Sequence, residues 1–361
     1  MIKDKSHITL SFDKKAQPLL HSAAYVVARA DYVSIDLEAL KNLVALNKFA
    51  EVCRQNSANS FTDTFMDTFA DPFGDSSATS YWLESAPTLV KDYFTSLTLE
   101  NRIQFLMIFH TIGFCYWGEP RWKYSQYDGA MALLVSMAIN QDFRNLDYLA
   151  SLNPEQFKSL LAGEFSENID SLALLRERHE FIVSLAQKLR SENYLHALLP
   201  LLATTSGIDL ALKFAHELPG YLDIAHYKGK EILFLKRAQL LVSDINHALV
   251  VSGASEITKI DELTAFADYK LPQLLRHYQV LAYEPALATR VDQRSELEPG
   301  SEEEVEIRAA TLIAVELIRH ELQKKGIRTS AAAIDSILWQ LSQKLDKARV
   351  KPYHRCKTVF Y

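Results

Sequence analysis

Along most of this chain, hydrophobic positions recur at the three-to-four-residue spacing of an amphipathic helix. From Ile35 and Asp36 onward, Leu37, Leu40, Leu43, Val44 and Phe49 fall on one stripe. The same spacing predicts helices over 98–113, 129–141, 171–190, 194–203, 208–216 and 236–251. A helix over 302–325 has the clearest ends. Ser301 and Glu304 can form a capping box, Lys324 and Lys325 occupy the last turn, and Gly326 follows. Between Val305 and Ile318 it is apolar almost all round, which predicts a path through the core. A final helix starts near Ser330, with Ile334, Ile337, Leu338 and Leu341 on its inner face. Only residues 229–235 read as a strand, with Gly229 turning the chain before it. The first thirty or so residues alternate weakly, as in His7 to Phe12, and predict a short extended arm. Residues 56–81, rich in Ser, Thr, Asp and Phe and punctuated by Pro72 and Gly74, predict a loop insertion. No repeat and no linker is visible. The expected architecture is one compact all-α domain over 1–361, with at most a short β element.

Composition strengthens that picture. Eleven glycines and eleven prolines in 361 residues are about half the average usage, too few for a sandwich or barrel. Hydrophobic residues at 48% exclude disorder. The net charge of −6 leaves no basic excess to coat a phosphate backbone, so duplex nucleic acid is not an expected partner. Three widely spaced cysteines, Cys53, Cys115 and Cys356, form neither a disulfide nor a zinc pattern. The first residues lack the apolar stretch of a secretory signal, and no apolar run reaches membrane-spanning length. A cytoplasmic setting without membrane partners is the expectation.

Familiar catalytic motifs are missing. Eleven histidines show no metal-ligand spacing, because each His-Glu pair lacks the second histidine three residues on. Gly113 and Gly118 begin a phosphate loop, but Glu119 and Pro120 stand where Lys and Ser or Thr belong. Leu218-Pro219-Gly220 is half of a helix-hairpin-helix loop, with Leu222 in place of the second glycine. No metal and no cofactor is expected.

Instead, polar groups sit in apolar surroundings. Lys236 and Arg237 interrupt a buried stretch, and a buried charge needs a partner. That partner is either an acid such as Glu304, Glu306 or Asp244, or an anionic ligand. Asp268, amid Leu263 to Leu271 and just before Pro272, reads either as a helix cap or as a carboxylate aimed at a cationic centre. The aromatic run Phe109, Phe114, Tyr116, Trp117, Trp122, Tyr124 and Tyr127 is either core or a stacking pocket for a flat heterocycle. Asp335 is an acid on the apolar face of the last helix.

Together these stretches resemble a known family. FLKRAQLLVSDI (234–245), LTAFADYKLPQLL (263–275), GSEEEVEIRAATLIAVELI (300–318), IDSILW (334–339) and PYHRCKTVFY (352–361) are similar to the queuosine salvage proteins. FCYWGEPRW (114–122) is similar to the aromatic segment of that family. The order holds from about residue 105 onward. Lys270 stands where the family more often has Arg, and Gly113 where Asn is common. The resemblance implies an all-helical fold related to the helix-hairpin-helix DNA glycosylases. It also implies hydrolysis of queuosine 5′-phosphate to queuine and ribose 5-phosphate, which feeds queuine back into transfer-RNA modification.

On that resemblance Asp268 is the catalytic carboxylate under C1′ of the ribose. Phe114, Tyr116, Trp117 and Phe266 would surround the base, with Tyr269 and Trp339 beside them. Asp335 would meet the cationic amine of the base or another polar edge, Asp128 being the second candidate for the amine. Lys236 would neutralise the 5′-phosphate, leaving Arg237 for a structural pair with an acid such as Glu306. The alternative is a non-catalytic queuosine- or queuine-binding protein that partners transfer-RNA-modifying enzymes.

Overall fold

The computed structural model describes residues 18–58, 86–163, 167–191, 193–345 and 349–361. Residues 1–17 of the expected arm, and the expected loop beyond Ala58, lie outside the described residues. The rest of the arm is corrected: Pro18–Val27 is a helix whose Leu19, Leu20, Ala23 and Val26 are buried at helical spacing. Residues 56–58 of that loop close a helix instead, Asn47–Ala58. The fold is mostly α-helical, and its strands pair into four two-stranded sheets among the described residues. No described helix is long and apolar enough to cross a membrane.

The chain divides into two compact units interleaved in sequence. The first comprises 1–78, 224–236 and 261–356; the second comprises 79–223, 237–260 and 357–361.

Helix Glu302–Lys324 is the axis of the first unit. Its residues from Glu304 to Glu316 are all buried, as an all-round apolar pattern requires. Helices Pro18–Val27, Leu37–Ala45, Lys270–His277 and Ala331–Lys344 pack around it. Its N-terminus is only half of the expected capping box. Ser301 Oγ accepts from the Glu304 N–H, but Glu304 accepts from Gly300 rather than from Ser301. The other Glu304 oxygen faces Arg308, 3.6 Å from its Nη1, and the ion pair competes for the carboxylate.

A second buried acid on this helix, Glu306, ties down the chain after the first helix. Its oxygens accept from the backbone N–H groups of Asp31 (2.9 Å), Tyr32 (2.6 Å) and Val33 (3.0 Å), and from the Tyr227 hydroxyl (2.8 Å). Four donors satisfy the desolvated carboxylate. They also set Val33–Ile35 against Leu281–Tyr283 as an antiparallel pair.

The expected strand at 229–235 is found as Lys230–Leu233, paired with Ile224–Tyr227. Lys228 and Gly229, both at positive φ, make the two-residue turn that matches strand twist. The pairs 33–35 with 281–283, 123–124 with 127–128, and 296–297 with 355–356 were not expected. Strands of two or three residues carry too little alternation to register as a pattern.

In the second unit, helices Leu99–Ile112, Gly129–Ile139, Tyr194–Leu202 and Gly207–Glu217 follow the expected boundaries closely. Helix Leu175–Ser191 starts four residues later than its expected boundary, after a 3-10 turn at Ile169–Ser171. Two fully buried arginines organise this unit. Arg178 donates to the carbonyls of Ile112, Phe114, Cys115 and Ala173. Arg237 donates to those of His110 (2.6 Å), Thr111 (3.0 Å) and Gly220. This corrects the choice of Glu306 as its acid, since those oxygens are already taken; the carboxylate whose charge acts on Arg237 is the buried Asp223. Burial pushes the Arg237 guanidinium down to about 10, still well charged at neutral pH. Gly220 is needed where it stands: its φ is +74°, and a Cβ would lie 2.3 Å from the Phe181 ring.

Candidate functional site

Six of the nine expected site residues fall in the first unit: Lys236, Phe266, Asp268, Tyr269, Asp335 and Trp339. They come from three short pieces of chain. These are the start of helix Lys236–Val251, the segment leading into helix Lys270–His277, and the middle of helix Ala331–Lys344.

The helix-cap reading of Asp268 holds, and it leaves the other carboxylate oxygen uncommitted. Its Oδ1 accepts from the N–H groups of Lys270 (2.6 Å) and Leu271 (3.2 Å), capping the helix that follows. Those bonds fix the carboxylate while Oδ2 takes no hydrogen bond among the described residues. The side chain is half-buried rather than sealed in. One oxygen is anchored and one is available.

Asp335 is different. It is 2% exposed, and its Oδ2 accepts from the backbone N–H of Phe266 at 2.7 Å. Burial is the main influence on its carboxyl, pushing it up to about 8; the neighbouring Asp268 charge adds to the rise. The Phe266 N–H and the Lys236 ammonium work the other way without reversing it. The net effect favours the protonated form of Asp335. Asp268, Asp335 and Lys236 form one electrostatically coupled group.

Around this group the packing is aromatic. Phe266 is buried, and Trp339 lies one turn beyond Asp335 on the same helix, half-buried against the core. Tyr269 stacks at a tilt on Tyr353, ring centroids 4.7 Å apart, and the Lys270 ammonium lies 5.1 Å from the Tyr353 centroid. Gln273 holds the Lys351 carbonyl at 2.8 Å, pinning the segment that carries Tyr353.

Sequence reasoning passed over two residues of this unit. Arg308 is 2% exposed; its Nε–H donates to the Ala267 carbonyl at 3.3 Å, and its guanidinium lies 3.9 Å from the Phe234 ring centroid. His354 is 1% exposed, and burial, aided by the Arg308 charge, pushes its imidazole down to about 3. The available signal for Arg308 was a cation inside the mostly apolar run from Val305 to Ile318.

Phe114, Tyr116 and Trp117 belong to the second unit. Phe114 is buried, with the Arg178 and Arg237 guanidiniums 4.2 and 4.8 Å from its ring centroid. Tyr116 is half-exposed along its ring but its hydroxyl is enclosed, and burial pushes it up to about 12. Trp117 is 6% exposed. Asp128, the second candidate for the amine, is exposed and paired with Arg121 at 3.1 Å.

Among the described residues, one trio of carboxylates lies close enough to share a cation: Asp31, Glu302 and Glu306. Glu306 is occupied by the four donors described above, and Asp31 pairs with Lys228 at 2.6 Å. Structural bonds account for two of these three carboxylates.

Comparison with known proteins follows the same residues. Residues 93–361 match the family described as queuosine salvage protein. A queuosine 5′-phosphate N-glycosylase/hydrolase of Sphaerobacter thermophilus is 36% identical over 285 residues, 76% of this chain and 86% of that protein. The protein of the same name from Dictyostelium discoideum is 30% identical, over 74% of this chain and 79% of its own length. That of Mus musculus is 28% identical, over 73% and 82%.

The Asp335 carboxyl makes stability depend on pH. Its folded pKa is raised above its unfolded value, so between about pH 4 and 8 the folded state keeps a proton that the unfolded chain has released. This contribution is fully present below that window and is lost as pH rises through it. Asp335→Asn removes the dependence. In urea unfolding at pH 5 and pH 8.5, the variant should gain stability relative to the native protein as pH rises. Parallel behaviour at both values would show that Asp335 is not protonated in the fold.

Proposed function

The chain belongs to the queuosine salvage protein family, and from that premise we propose that it hydrolyses the N-glycosidic bond of queuosine 5′-phosphate, releasing queuine and ribose 5-phosphate. The observation that carries this reading is the juxtaposition of an anchored, half-exposed carboxylate with a buried, protonated one. Cleavage of an N-glycoside passes through an oxocarbenium-like ribose and a departing base, and the two carboxyl groups suit those two demands.

Asp268 is assigned to the sugar. Its open oxygen supplies negative charge at C1′ as the bond loosens. Asp335 is assigned to the base. A carboxyl that keeps its proton at neutral pH donates a hydrogen bond, so it serves the leaving group rather than pairing as an anion with the amine. A 7-deazaguanine leaves poorly, which makes acid assistance valuable. As the C1′–N bond breaks, its electron pair goes to the base together with the Asp335 proton. Water adds to C1′, and the proton that it sheds returns to the carboxyl pair.

Lys236 is assigned to the 5′-phosphate. It opens a helix, where the backbone itself favours an anion, and Arg237 beside it is committed to carbonyls. Phe266, Tyr269 and Trp339 give the base apolar walls. The three cysteines are buried and form no disulfide among the described residues, in keeping with a reducing, cytoplasmic setting.

The direct test is to incubate the purified protein with queuosine 5′-phosphate and follow free queuine by mass spectrometry. Asp268→Asn should lower turnover at least about a hundredfold while preserving binding. Native turnover by that variant would remove Asp268 from the chemistry. Lys236→Met should lower kcat/KM for the nucleotide by about tenfold to a hundredfold and leave the slow reaction of the nucleoside nearly unchanged. Equal losses on both substrates would reassign Lys236 to the fold.

A further inference from the structure

The segment that carries Asp268 is held at three successive points. The N–H of Phe266 is taken by Asp335, the carbonyl of Ala267 is taken by Arg308, and the N–H groups of Lys270 and Leu271 are taken by Asp268 itself. The outer two holds are made by the acids that the proposed reaction uses. The middle one comes from a residue with no part in it.

We infer that Arg308 is a positioning residue for Asp268, fixing through one guanidinium the backbone that leads into Asp268 and the ring that precedes Lys236. The inference rests on the assignment of Asp268 to the sugar. The Ala267 carbonyl shares its peptide plane with the Asp268 N–H, so holding that oxygen limits rotation of the plane on which the Asp268 side chain is mounted. The Phe234 ring, 3.9 Å from the guanidinium, stands two residues before Lys236. Between them Leu235 is at φ 51°, a conformation that a branched side chain keeps only where its surroundings enforce it.

Arg308 is itself well fixed. It lies on the central helix of the first unit, 2% exposed, with Glu304 one turn earlier at 3.6 Å. His354, buried beside it, stays neutral and adds no competing charge. A planar fork in this setting can hold a carbonyl through Nε–H while a ring packs against its face, and a lysine ammonium cannot do both. Reactions of this kind lose about a hundredfold in rate when a reacting group is misplaced by about 1 Å, which sets the scale of the expected effect.

The test is a double-mutant cycle on turnover of queuosine 5′-phosphate by Arg308→Lys, Asp268→Asn and the two combined. Arg308→Lys should lower kcat about tenfold to a hundredfold with KM within about threefold of native. In the Asp268→Asn background the same change should cost less than about threefold, because the carboxylate that it positions is gone. An unchanged kcat, a loss confined to KM, or full losses that multiply in the double variant would each overturn the inference. If Asp268→Asn alone kept native turnover, the failure would lie with the reading of the site instead. Should Arg308→Lys not fold, Arg308→Gln is measured in its place. Failure of both to fold would make Arg308 a core residue and overturn the inference as well.

Discussion

The hydrogen bond from the Phe266 N–H to the buried Asp335 carboxyl is the contact on which the site depends. It joins the middle of one helix to the segment in front of another, and it brings a second acid into the neighbourhood of Asp268. Two carboxyl groups in such a setting resist ionising together, and the more deeply buried one keeps the proton. In the proposed reaction the division of labour between an acid and an anion follows chiefly from depth: Asp335 is deeply buried, whereas Asp268 is half-buried and anchored through one oxygen.

Elsewhere the same rule, that a polar group taken from water must be satisfied, organises both units with different partners. In the first unit, Glu306 collects three backbone N–H groups and a tyrosine hydroxyl, and Arg308 faces Glu304 and the Ala267 carbonyl. In the second unit, Arg178 and the terminal nitrogens of Arg237 donate to backbone carbonyls at 110–112, 114, 115, 173 and 220. Five of these seven carbonyls lie in the last turn of helix Leu99–Ile112 or just beyond it, where orphan acceptors accumulate. Buried charge here is a means of fixing irregular backbone.

Much of this was legible in the sequence because it rests on periodicity and end signals. Long helices with apolar stripes stood close to their expected limits, and Ser301, Ser330 and Gly326 marked the ends of the last two. Asp268 was legible as a cap and as a carboxylate, and the structure makes it the first without preventing the second. Partner choice was not legible. Arg237 takes carbonyls and the nearby charge of Asp223 rather than Glu306, and Glu304 faces Arg308 instead of closing a capping box, since a sequence shows the need for a partner but not which distant group reaches it. Arg308 itself was hidden within a helix whose apolar run drew attention away from its single cation.

The central claim is that the site works with one carboxylate and one carboxylic acid, the acid being Asp335 near Asp268 and Lys236. The most direct measurement is the dependence of kcat/KM for queuosine 5′-phosphate on pH from 5 to 10, which reports groups of the free enzyme. The rate should hold through neutral pH and fall about tenfold per pH unit above about pH 8, as the Asp335 proton is lost. A rate that stays level, or rises, from pH 8 to 10 would contradict the account, because the leaving base would then depart without a proton from Asp335.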